Sequence, residues 1–159
     1  MAEKYKLEAA TVEDLRNTAL GSIIRTRVIS INMDATLGEA MELCLNRRIR
    51  HLPVVDDDGR LAGLMTDRDL RAHISPRMGT ISENNADRET LHRRIHLFMV
   101  REIVSGFPSM TLAEATGLML EKRVGCLPVV DEDRRLVGIV TTSDFLGIFA
   151  QQYPPCRAV

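Results

Sequence analysis

The sequence predicts an α/β (α+β) fold made of two βαββα repeats that share a core. Three observations lead there. The stretch from Leu52-Pro-Val-Val-Asp56 to Asp69 returns as Leu127-Pro-Val-Val-Asp131 to Asp144 at a constant shift, since 127 − 52 and 144 − 69 both equal 75. Across Arg48–Asp69 and Arg123–Asp144, 12 of 22 positions are identical, which marks an internal duplication. Each copy reads strand, helix, strand, turn, strand, helix, a unit too small to be stable alone but able to share a core with its twin.

The chain divides into a loose polar segment 1–10, a first repeat with a leading helix over 11–74, and an inter-repeat loop over 75–88. A second repeat with its own leading helix covers 89–150, and a tail follows over 151–159. Thr11-Val-Glu-Asp14 opens the first helix with Thr11 as cap, turns Val12, Leu15 and Ala19 inward and stops near Gly21. Val28-Ile-Ser-Ile31 reads as a short strand. Thr36-Leu-Gly-Glu39 is a capping box for a helix from Leu37 to about Asn46, with Leu37, Ala40, Met41 and Cys44 on one face. Leu112, Ala115, Thr116 and Met119 repeat that face. Leu43 and Leu45, matched by Leu118 and Leu120, widen the apolar surface, which fits helices that pack on two sides.

Leu52–Val55 and Leu61–Met65 flank Asp57-Asp58-Gly59, a hairpin signal. Arg134 stands where Gly59 does, so the second turn is expected to be longer or of another type. Helices begin after Thr66 and Thr141. Ser75–Asp87, rich in Ser, Pro, Gly and Asn, reads as a loop. Glu89–Met99 reads as a helix, with Leu91, Ile95 and Phe98 at helical spacing, and Tyr153-Pro-Pro closes the last helix.

Composition narrows the function. The 159 residues are 45% hydrophobic and 27% charged with net charge −1, which provides no general attraction to nucleic acid or anionic membrane. Aromatics are 4% with no Trp, too few for base-stacking platforms. Met1–Leu7 has no apolar run like a signal peptide, and no stretch approaches the roughly 18 apolar residues of a membrane span. Cys44, Cys126 and Cys156 show no CxxC spacing, and the first two read as small core hydrophobes, which fits a reducing, cytoplasmic setting. Neither HExxH, a Walker GxxxxGK nor a nucleophile–base set occurs, so the chain is not expected to be an enzyme or to bind a metal. His92-Arg-Arg-Ile-His96 is a short basic stretch countered by Asp87 and Glu89, which makes nucleic acid a poor partner.

Gly63-Leu-Met-Thr66-Asp-Arg-Asp69 and Gly138-Ile-Val-Thr141-Thr-Ser-Asp144 carry the chemistry. Thr followed three residues later by an acid is a helix cap in its own right. It is also compatible with a ligand site, because a helix start offers backbone N–H groups to an anion and a carboxylate can accept two ribose hydroxyls. Gly63 and Gly138, inside strands, allow close backbone approach.

The spaced pair of apolar-Pro-Val-Val-Asp and Gly-x-x-Thr-x-x-Asp motifs resembles the CBS domain, and the tandem arrangement resembles a stand-alone CBS pair (Bateman module) over about Leu20–Ile74 and Leu97–Phe149. The resemblance implies two βαββα repeats packed as a pseudo-twofold pair, with two clefts between them for adenosyl compounds such as AMP, ADP, ATP or S-adenosylmethionine, and a regulatory, signal-transducing role. It implies ribose contacts for Asp69 and Asp144, and ribose or phosphate contacts for Thr66 and Thr141. Val28-Ile29-Ser30 and Ile103-Val104-Ser105 would flank the base. Arg50, His51 and Arg68 would hold phosphate. Opposite these three stand Gly125, Cys126 and Ser143, so one phosphate-competent site is expected, the other being vacant or suited to a less charged ligand. Gly21-Ser-Ile-Ile24 departs from the Asp-Ile-Met common at that point of the family. A homodimer through the wide-faced helices and an effector protein are the expected partners, with no catalytic cofactor. The alternative is a ligand-free dimerisation scaffold whose motif survives as a cap.

Overall fold

The computed structural model describes residues 12–24 and 27–152. The expected cap Thr11, the loose segment 1–10 and most of the tail therefore lie outside the described residues. In chain order the elements are α1 (Val12–Asn17), β1 (Ile31–Asn32), α2 (Leu37–Arg47), β2 (His51–Val55), β3 (Leu61–Thr66), α3 (Asp67–His73), α4 (Asn85–Glu89), α5 (Leu112–Lys122), β4 (Cys126–Val130), β5 (Leu136–Thr141) and α6 (Thr142–Gln152). The fold is mixed α+β, as the alternation of signals predicts.

Two compact units form, and neither is a contiguous piece of chain. One gathers Ile29–Ile103 with Asp133–Arg135, and the other gathers the segment up to Val28 with Val104–Glu132 and the chain from Leu136 onward. The expected division at 11–74 and 89–150 puts each leading segment with the repeat that follows it. Hydrogen bonding gives the reason the compact units group these segments differently.

In the first unit, the Leu37 N–H donates to Arg93 O at 2.9 Å and the Ile95 N–H donates to Ala35 O at 2.9 Å. Arg93 and Arg94 are consequently extended, with ψ of 141° and 135°. A helix over Glu89–Met99 cannot form, because its backbone groups are already paired with the entry to α2. Instead α4 ends at Glu89, and 3₁₀ turns cover Thr90–His92 and Ile95–Leu97. Ile95 is wholly buried against Leu37, Ala40, Leu52, Val54 and Met65, so the helical spacing reported burial correctly and conformation incorrectly.

The second unit repeats the device. Leu20 N–H donates to Met110 O and Leu112 N–H donates to Thr18 O, both at 2.8 Å. Leu20, also wholly buried, joins Leu112, Ala115, Leu127, Val129 and Val140. Helix α1 stops at Asn17, and Ala19, expected inside, is exposed and bridges Thr111. Leu15 is partly buried, as expected.

Strand order in the first unit is β1-β2-β3, with β1 parallel to β2 (Ile31↔Val54) and β2 antiparallel to β3 (His51↔Thr66). In the second unit β4 pairs β5 (Cys126↔Thr141), and the counterpart of β1 is a single bridge, Gly106↔Val129. Val28-Ile29-Ser30, expected in a strand, precedes β1 without joining it. The hairpin turns correct another expectation. Both close with the same register, Val55↔Leu61 and Val130↔Leu136, and Arg134 adopts φ of 63° where Gly59 has 78°. The turn is kept and the side chain bears the strain, an αL cost of about 1–2 kcal/mol. The Arg134 carbonyl accepts the Leu61 N–H at 2.9 Å, which holds the turn in place.

The capping box expected at Thr36 and Glu39 forms on α2, and Thr111 and Glu114 form its counterpart on α5. Backbone and hydroxyl donors of the threonines hold the Glu39 and Glu114 carboxyls below their ordinary value. Leu43 and Leu118 pack against their own cores, whereas Leu45 and Leu120 are 64% and 74% exposed.

Candidate functional site

The β2–β3 register sets His51 opposite Thr66, at the start of α3. Asp67 N–H donates to Arg50 O at 3.1 Å, which ties the approach to β2 to the first residue of that helix. Arg50, His51, Thr66, Asp67, Arg68 and Asp69 thus occupy one corner of the first unit. The capping box orders it. Thr66 N–H and Oγ1–H donate to Asp69 Oδ2 at 2.8 and 2.7 Å, and Asp69 N–H donates back to Thr66 Oγ1 at 3.2 Å. Asp69 Oδ1 has no hydrogen-bond partner among the described residues.

The second unit builds an equivalent corner without the cations. Cys126 stands opposite Thr141, and Thr142 N–H donates to Gly125 O at 3.1 Å. Thr141 N–H and Oγ1–H donate to Asp144 Oδ2 at 2.9 and 2.6 Å. Asp144 is only 4% exposed, while Asp69 is half-buried.

Electrostatics separate the two corners. His51 is half-buried, and desolvation lowers its pKa; Arg50 acts in the same direction and Asp67 opposes both. Its counterpart Cys126 is buried, and desolvation pushes the thiol up to about 12. Arg50 and Arg68 are exposed. The helix start contributes less than the sequence suggests: the amides of Asp67 and Asp69 are already spent on Arg50 O and Thr66 Oγ1. Anion affinity at this corner has to come from side chains.

The strand glycines serve packing. A Cβ at Gly63 would overlap Met99 Sδ, and one at Gly138 would lie 2.5 Å from Ile24 Cδ1. The close approach they allow is that of a core side chain, with Met99 and Ile24 themselves 75 residues apart. Ile29 and Val104, expected to flank a base, pack against the cores of their own units. Val28, Ser30, Ile103 and Ser105 are partly buried, and no hydrogen bond joins their side chains to either corner among the described residues. Asp67 was not foreseen; no repeated motif marks it, because Thr142 replaces it in the second copy.

A depression of about 480 Å³ on α2, lined by Ile31, Glu39, Glu42, Leu43, Asn46 and Arg47, contains none of the corner residues. Among the described residues, no group of three or more His, Cys, Asp or Glu is placed to hold a metal ion, and no helix is long and apolar enough to cross a membrane.

Comparison with known proteins follows the same lines. The family model for the CBS domain matches residues 20–76 and 93–151. A CBS domain-containing protein of Dictyostelium discoideum is 38% identical over 129 residues, covering 80% of this chain and 88% of that protein. Inosine-5′-monophosphate dehydrogenase of Mycobacterium leprae is 31% identical over 92% of this chain, which spans only 24% of the dehydrogenase. Among solved structures, the CBS domain pair of protein MJ0100, in complex with 5′-methylthioadenosine and S-adenosyl-L-methionine, superposes with a TM-score of 0.69 at 25% identity, covering 84% of this chain and 96% of that one. CBSX2 in complex with AMP gives a TM-score of 0.69 at 26% identity, with coverage of 84% and 96%.

Proposed function

The chain belongs to the CBS domain family, and we propose that it is a regulatory ligand-sensing module for an adenosyl compound, signalling to an effector protein. The observation that carries this reading is the corner of Thr66, Asp69, Arg50, His51 and Arg68. Asp69 Oδ1, which has no hydrogen-bond partner among the described residues, could accept a ribose hydroxyl, and Arg50, His51 and Arg68, carried by backbone that the β2–β3 register and the Asp67–Arg50 bond bring together, would supply the phosphate contacts. Charge-assisted bonds of this kind contribute roughly 1.5–3 kcal/mol each. The ligands named for the similar structures, AMP, 5′-methylthioadenosine and S-adenosylmethionine, share the adenosyl group. The first unit would take AMP, ADP or ATP. The Thr141–Asp144 corner, with Gly125, Cys126 and Ser143, would take a ligand of lower negative charge or none.

Thermal shift with AMP, ADP, ATP, NAD and S-adenosylmethionine tests this. A ligand at 100 times its Kd stabilises the fold by about 2.7 kcal/mol, which at this size raises Tm by roughly 5–10 °C. No shift with any of the five refutes the sensor and favours a scaffold. That second reading draws on Leu45, Leu120, Leu146 and Phe149, which are 62–74% exposed on α2, α5 and α6 and suit a homodimer.

A further inference from the structure

We infer that His51 couples phosphate binding at its corner to the uptake of a proton, so that the imidazole's contribution to affinity there grows as pH falls, a contribution that the Gly125–Cys126 corner lacks. This rests on the adenosyl reading above and concerns how the same site is regulated.

The argument starts from what surrounds the imidazole. His51 lies opposite Thr66 in the strand register, half-buried at the end of the hairpin. Arg50, the residue before β2, adds a like charge that opposes protonation of the ring. From α3 comes Asp67, which is itself engaged by Arg71 at 3.7 Å. On α2, the buried Cys44 thiol also feels Asp67; burial and that carboxylate both push its pKa up, so it adds no charge near neutrality. One carboxylate shared with Arg71 is too little to offset burial and Arg50, and His51 sits below its ordinary value of 6.5. At neutral pH the free corner therefore presents a neutral imidazole beside Arg50 and Arg68.

A bound phosphate reverses that balance. It brings at least one negative charge to the imidazole, and the protonated ring donates a charge-assisted hydrogen bond where the neutral ring donates a weaker one. The pKa of His51 must then be higher in the complex than in the free protein, and each unit of difference is a tenfold gain in affinity below the free value. The ligand's own second ionisation, near pH 6 for a phosphate monoester, works the other way, because the dianion binds cations better at high pH. The two effects have opposite sign and can be separated by substitution. The repeat supplies the variant: Cys126 holds the same register position, buried and uncharged at a pKa of about 12.

The experiment is isothermal titration of the full chain with AMP, ATP and adenosine at pH 5.5, 6.5 and 7.5. Each pH is run in two buffers of different ionisation enthalpy, for wild type, His51→Cys and His51→Gln. For AMP, the affinity ratio of wild type to either variant should rise from pH 7.5 to 5.5, by up to about tenfold for each unit by which the ligand raises the pKa of His51. Wild type should also take up protons that the variants do not, and the ratio for adenosine should stay flat. A ratio for AMP that is constant with pH, equal proton uptake in all three proteins, or a matching pH effect with adenosine overturns the coupling while leaving the sensor intact. Absence of binding by all three ligands at every pH overturns the adenosyl reading itself, and the coupling with it.

Discussion

The Thr-x-x-Asp motif is at once a helix cap and the proposed ribose contact, and replacing each aspartate by alanine separates those roles. In Asp69→Ala, Thr66 N–H and Oγ1–H lose the acceptor that holds them at 2.8 and 2.7 Å, but the Thr66 Oγ1 bond to the residue 69 amide survives. The corner is half-buried, so water can replace part of the loss, and the cost is that of a cap, about 1 kcal/mol. Asp144→Ala removes an acceptor that is 4% exposed from the same two donors on Thr141, at 2.9 and 2.6 Å. With the carboxylate site closed to solvent, water replaces it less readily at the two part-buried donors, and the desolvation penalty brings the total to roughly 2–3 kcal/mol. Urea unfolding followed by circular dichroism reads both, with Asp144→Ala expected to lower the midpoint at least twice as far. The same variants are titrated with AMP. Loss of one charged hydrogen bond to ribose corresponds to a 10- to 150-fold weakening for Asp69→Ala. Equal destabilisation by the two variants would refute the burial argument, and unchanged AMP affinity in Asp69→Ala would leave that motif as a cap and nothing more.

The remaining predictions concern the scaffold. Arg134→Gly, at φ of 63°, relieves αL strain at the cost of a more flexible unfolded chain, and should raise stability by about 0.5–1 kcal/mol in urea; destabilisation would mean the Arg134 side chain contributes more than its backbone costs. Gly63→Ala places a methyl group against Met99 and should cost about 1–3 kcal/mol as overpacking, with part regained in Gly63→Ala/Met99→Ala. Glu39 and Glu114 have folded pKa values lowered by their threonine partners. Their stabilisation is therefore present above the ordinary value of 4.5 and disappears as pH falls through the lower folded value. Acid unfolding of Glu39→Gln/Glu114→Gln should show a shallower loss of stability below pH 4.5 than wild type; an identical slope would place the acid sensitivity elsewhere.

The parts legible in the sequence were those fixed by local chemistry and repeated. Thr36-x-x-Glu39 and Thr66-x-x-Asp69 make caps within four residues, and Leu-Pro-Val-Val makes a strand in either copy, so periodicity and capping rules reach them. What escaped was set by partners far along the chain. Leu91, Ile95 and Phe98 have helical spacing, yet the backbone at Arg93 and Ile95 is bonded to Leu37 and Ala35. No window around Glu89–Met99 contains that information. The same long-range pairing sent residues 18–24 to the unit of α5. A wider use of the constant shift could have found it: Leu20 and Ile95 are 75 apart, as are Ile24 and Met99, although none of those pairs is identical. Arg134 differs in kind, since glycine is favoured at a left-handed turn position and is not required there. The left-handed turn is held by the Leu61 N–H and by the register of β4 and β5, and the chain accepts an arginine there at a cost smaller than that of changing the hairpin.

That distinction bears on how duplicated sites should be read. Positions shared by the two repeats, Gly63 and Gly138, Thr66 and Thr141, Asp69 and Asp144, each have a structural use that explains their identity without any ligand: space for Met99 or Ile24, and a capped helix. Identity between copies is therefore weak support for function here. The differences carry more. Replacing Arg50, His51 and Arg68 by Gly125, Cys126 and Ser143 leaves the strand register and the Thr–Asp pairs unchanged, so the scaffold imposes none of the three basic residues. Burial of His51 and the closeness of Arg50 even disfavour a charge on the imidazole. A fold that tolerates cysteine at that position gains nothing structural from histidine, and an anion at the corner is the partner that would make the arrangement favourable.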